Sequence, residues 1–163
     1  MKTQHDTLRD TLNELIEINH SRIDGYKKAI TDVTQEDLQG LFGSIINESD
    51  GFAESLAEYV VKIGGEPSTS STFLGKIHQV WLDFKAALSS KNRHTILNSC
   101  EFGDTQAIKA YDLALEMNEL SEPLRALLIV QRTIIAESLD IIRSLMKANT
   151  DTKSEIAALD ITQ

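Results

Sequence analysis

Apolar residues recur every three or four positions along most of this chain, which is the period of an α-helix packed on one face. Over residues 3–30 the stripe is Leu8, Leu12, Leu15, Ile16, Ile23, Tyr26 and Ile30. After a break at Thr31–Thr34, a second helix carries Leu38, Leu41, Phe42, Ile45, Ile46, Phe52, Leu56, Tyr59, Val60 and Ile63, and Thr34 opens a T-x-x-D start pattern. Gly64-Gly65 stops that helix, with Pro67 just beyond, the usual order of C-terminal signals.

A polar loop, Ser68–Ser71, leads to a shorter predicted helix over about residues 72–89, striped by Phe73, Ile77, Val80, Trp81, Phe84 and Leu88. A third long helix is predicted from Arg93 to Asn118, with Ile96, Leu97, Cys100, Ala107, Tyr111, Ala114 and Leu115 inside. Ser121 reads as an N-cap and Pro123 as a first-turn residue. The fourth helix then runs to about Lys147 through Leu124, Leu127, Leu128, Ile134, Ile135, Ile142 and Leu145. Residues 1–149 read as a single helical domain and 150–163 as a polar tail, in which SEIAALDI could form a short docking helix.

The breaks after helices one and three are short, so each pair closes as an antiparallel hairpin. The stretch from Gly64 to Asn92 is long enough to return the chain along the bundle. The expected architecture is all-α: four long helices with one long crossover that contains an additional helix.

Composition narrows the function. The chain has 163 residues, 41% of them hydrophobic, enough for one domain with a full core. Its formal net charge is −9 and no basic run occurs, which opposes binding to nucleic-acid phosphates. A single cysteine, Cys100, excludes an intramolecular disulfide and fits a reducing compartment. No segment has the roughly 18 apolar residues of a membrane span. These features point to a soluble, cytoplasmic protein without nucleic-acid or membrane partners.

The segments HSRIDGYKKA, GGEP, GKIHQVWLDFKAAL, CEFGDTQAIKAY and PLRALLIVQ together resemble an uncharacterised bacterial four-helix-bundle family of the ferritin-like superfamily. The resemblance covers about Leu8 to Lys147. It implies a ferritin-like fold, distantly similar to rubrerythrins, ferritins and the DNA-protecting starvation ferritins, and a stress association, and it carries no settled activity with it.

Di-iron bundles take a Glu from each of two helices and Glu-x-x-His from each of the other two. The literal match here is Glu17-Ile18-Asn19-His20. Glu17 lies about 160° from the centre of its stripe and His20 about 100°, so Glu17 is expected in water and His20 at the boundary. In helix two, Glu54 and Glu58 point away from the core and Glu48 sits at the flank. Glu137 and Asp140 in helix four fall on the polar face.

Asp104 lies only about 40° from the centre of its stripe. Three readings are open for it: hydrogen-bonded to buried amides and hydroxyls, joined with Glu101 and Glu48 around a divalent cation, or reaching solvent from the boundary. Asn19, Ser49 and Gln131 are also centred, each near the middle of its helix. With Asp104 they should form a buried polar layer at the height where related bundles hold metal, giving hydrogen bonds to the carboxylate.

His5, His78 and His94 read as solvated, Trp81 and Phe84 as a seal between crossover and bundle, and Cys100 as a packing thiol. No catalytic constellation or cofactor motif emerges; iron or manganese is the alternative. The sequence points to a non-catalytic structural or protein-interaction module with a degenerate metal site, compatible with self-association or an unidentified protein partner. A rubrerythrin-type iron-handling protein or oxidoreductase is the alternative.

Overall fold

A computed structural model describes residues 1–70 and 92–161, the side chains of 149–153 and 161 excepted. It contains helices α1 (Gln4–Asp32), α2 (Glu36–Lys62), α3 (Arg93–Leu115) and α4 (Glu122–Ile161). The additional helix expected over residues 72–89, with Phe73, His78, Trp81 and Phe84, lies outside the described residues.

Local chemistry fixes most of the helix ends. Thr3 and Asp6 form a capping box at the start of α1, which satisfies two otherwise orphaned N–H donors. Asn92 caps α3 by accepting from the backbone of His94 and Thr95. Ser121 Oγ accepts from Leu124 N at 3.4 Å at the head of α4. The Thr34 start signal is not used: Gln35 occupies the N-cap of α2 and makes no side-chain cap bond. At the other end of α2, Gly64 adopts φ +77°. Its N–H donates to Val61 O and that of Gly65 to Val60 O, the paired bonds of a Schellman turn.

α4 runs 14 residues past the expected end near Lys147, to Ile161. No proline or glycine interrupts it after Pro123, so nothing local forces a stop; the polar run at 149–153 lowers propensity only slightly. At 40 residues it is about 60 Å long, against about 35 Å for α3.

Side-chain pairs set the topology. Arg93 at the start of α3 pairs with Asp37 at the start of α2 at 3.1 Å, so these two helices run parallel. Along α1, Asn19 meets Tyr111 and Arg22 meets Asp104, so α3 descends as α1 rises. Arg132–Asp112 and Arg143–Glu101 make α4 antiparallel to α3. The order is up, down, down, up, which requires a crossover between α2 and α3. Its first residues climb α1: Arg9 donates to Gly64 O, Asn13 to Glu66 O, and Ser68 Oγ to Glu17.

The core is one cluster that includes Leu12, Leu15 and Ile16 of α1, Phe42, Ile45 and Leu56 of α2, Ile96, Leu97 and Ala107 of α3, and Leu128, Ile135 and Ile142 of α4. Each large apolar side chain buried there contributes about 1.5–3 kcal/mol.

Candidate functional site: a buried ion pair and polar chain at mid-height

The four centred polar residues are all buried: Asn19, Ser49, Asp104 and Gln131. Between them sits a residue the helix phases did not single out, Arg22, 1% exposed. Its Nε donates to Asp104 Oδ1 at 2.9 Å and its Nη1 to Ser49 Oγ at 2.9 Å. Ser49 in turn donates to Ile45 O at 2.7 Å. The second oxygen of Asp104 accepts from the Tyr26 hydroxyl at 2.9 Å. A guanidinium from α1 thus ties the carboxylate of α3 to the hydroxyl of α2.

The amides form a separate chain and do not reach Asp104 as expected from the sequence. Asn19 Nδ2 donates to Tyr111 OH at 2.8 Å and to Leu15 O at 2.9 Å. Tyr111 OH donates to Gln131 Oε1 at 2.7 Å, and Gln131 Nε2 reaches Phe52 O at 3.4 Å. The physical reason is charge: a guanidinium within reach of a buried carboxylate outcompetes a neutral amide, because charge-assisted bonds are roughly twice as strong.

Electrostatics agree with this pairing. Burial pushes the Arg22 guanidinium down, but Asp104 beside it, together with Tyr26 and Tyr111, more than compensates, and the net shift is upward. Burial, with Asp104 nearby, raises the Tyr26 hydroxyl well above its ordinary value, so it stays a neutral donor. Burial likewise raises Tyr111. The Cys100 thiol is pushed far up by burial and by Asp104, so it is not activated as a nucleophile.

The other candidates point elsewhere. Glu101 pairs with Arg143 at 3.0 Å. Glu48 is half-buried; burial raises its carboxyl, opposed by the Arg22 charge and by a hydrogen bond from the Ser138 side chain, and reinforced by Asp104 and Glu137. Glu17 is not simply solvated: it accepts from Ser68 Oγ at 2.8 Å, while the His20 ring nitrogen lies 3.2 Å from Ser70 O. The Glu-x-x-His pair is therefore engaged by the segment leaving α2, on the outside of α1.

Arg22 and Tyr26 stand in SRIDGY, and Asp104 and Tyr111 in CEFGDTQAIKAY. An Arg four residues before an inward Tyr was the available signal, because four residues bring the chain back to the same helix face.

This architecture is a ferritin-like four-helix bundle. A dodecameric thioferritin, the bacterioferritin-related protein from Bacteroides fragilis, superposes with a TM-score of 0.77 at 15% identity, over 94% of this chain and 92% of that one. A ferritin-like, diiron-carboxylate protein from Bacillus anthracis str. Ames gives a TM-score of 0.66 at 21% identity, over 90% and 99%. The chain belongs to the family described as a domain of unknown function, DUF2383, whose model matches residues 7–117. No curated protein matches the sequence.

The residues present at mid-height do not fit a di-iron centre. Such a centre draws on several inward Glu and His ligands. Among the described residues the fully buried acid is Asp104, and each of its oxygens already accepts a hydrogen bond. A fixed guanidinium occupies the space beside it and would repel a divalent cation. Among the described residues, no group of three or more His, Cys, Asp and Glu could hold a metal ion.

Proposed function

We propose that this chain is a non-catalytic ferritin-like bundle in which an internal ion pair has replaced the metal centre, and that it works as a structural or protein-interaction module. The observation that carries the reading is the Arg22–Asp104 pair, 1% exposed on both sides. A buried carboxylate needs a compensating charge, and here the chain supplies that charge itself.

Interaction is supported by the surface. Phe102 and Leu113 of α3 and Ile129, Val130 and Ile141 of α4 are exposed large apolar residues, while α2 has only Val61. The dodecameric relative favours self-association as the form this takes. A cytoplasmic setting accords with the lone buried thiol, and no helix among the described residues is long and apolar enough to cross a membrane. The family resemblance suggests a stress-related role.

A second reading, iron handling of the rubrerythrin type, is favoured by the likeness to a diiron-carboxylate protein. Anaerobic addition of ferrous iron followed by oxygen separates the two. The module reading expects no di-ferric absorbance and an unchanged melting temperature with iron or manganese. A di-ferric band, or a metal-dependent rise in melting temperature, would establish the iron-handling reading instead.

A further inference from the structure

Three buried polar atoms around the ion pair have no protein partner: Asn19 Oδ1, Arg22 Nη2 and Glu48 Oε2. Asn19 and Arg22 are three residues apart on α1, hence neighbours on its surface. Arg22 Nη1 bonds Ser49, the residue next to Glu48, so the guanidinium already faces α2 at that level. We infer that these three atoms bind a single internal water molecule, which links the core ion pair to Glu48 as carboxylate–guanidinium–water–carboxylate.

The donor and acceptor inventory selects the guest. Arg22 Nη2 can only donate, whereas Asn19 Oδ1 and an ionised Glu48 Oε2 can only accept. The guest must therefore accept one hydrogen bond and donate two. Water does so. An ammonium ion has no lone pair for the guanidinium, a single hydroxyl has only one proton to give, and a metal cation would be repelled by Arg22. Buried waters typically make about three such bonds to polar groups that are otherwise unsatisfied. Glu48 is the half-buried end of the chain, so it is where this interior network communicates with solvent.

This inference does not depend on whether the molecule is an interaction module, since metal content and a bound water are read by different measurements. The test is a high-resolution crystal structure of the full chain together with oxygen-17 relaxation dispersion in solution. The expected result is ordered solvent within hydrogen-bond distance of all three atoms. It is accompanied by a long-lived water that Glu48→Gln keeps, through its amide oxygen, and Glu48→Leu loses. A dry site, Arg22 Nη2 swung directly onto Glu48, or a relaxation signal unchanged in Glu48→Leu would overturn it.

Discussion

Asp104 and Arg22 are each far more costly alone than together. Removing one partner of a buried pair leaves an uncompensated charge, at about 3–5 kcal/mol, whereas replacing both with apolar groups is often neutral. Arg22→Met and Asp104→Leu should therefore each lower stability by about that much, and the double variant by distinctly less than their sum. Urea unfolding of the four proteins measures this coupling; additive losses would show that the pair does not act as one. Tyr111→Phe should cost about 1–3 kcal/mol, because Gln131 Oε1 loses its buried donor. Glu48 gives a pH signature. Its folded carboxyl is raised, first by burial. Its contribution is then fully present below the unfolded pKa of about 4.3 and is lost as pH rises through the folded value. The stability of wild type relative to Glu48→Gln should fall with rising pH over that window, as followed by thermal melts. At this scale the sequence was partly transparent. Asn19, Ser49, Asp104 and Gln131 announce themselves because short polar side chains at the centre of an apolar stripe have nowhere else to point. Arg22 does not, because a long charged side chain at the edge of a stripe ordinarily reaches water. The hydroxyls of Tyr26 and Tyr111 hide behind rings that read as core.

At the scale of the element, the end of α2 is the most sharply determined feature. Gly64 holds a left-handed φ of +77°, where a side chain costs roughly 1–2 kcal/mol. Gly43, within the helix, would meet nothing within 4 Å if it gained a Cβ, and Ala is about 1 kcal/mol better than Gly there. Chemical denaturation should show Gly64→Ala destabilising and Gly43→Ala stabilising; the same sign for both would contradict the assigned turn. The GGEP stop made this turn legible, since glycine followed by proline has few other uses. The start of α2 and the end of α4 were less so. Thr34 offers a cap that the chain passes over for Gln35, and α4 crosses a polar stretch because no residue there forbids helix. Polar composition marks solvent exposure, not helix termination.

For the whole molecule, alternation of long stripes and short breaks carried the architecture, and one long connection between α2 and α3 distinguished it from simple up-and-down winding. The Arg93–Asp37 contact places the two middle helices parallel, as that connection demands. The charge balance at mid-height was not legible to the same degree, because it turns on one guanidinium whose partner is 82 residues away. That balance is the centre of the proposed function: a bundle of ferritin-like form that neutralises its fully buried acid with its own cation would have no call on an external one. Elemental analysis of the native protein, purified without chelators, tests this most directly. Iron and manganese are expected far below one ion per chain, whereas about two per chain, the complement of a di-metal bundle, would rule out replacement of the metal by the ion pair.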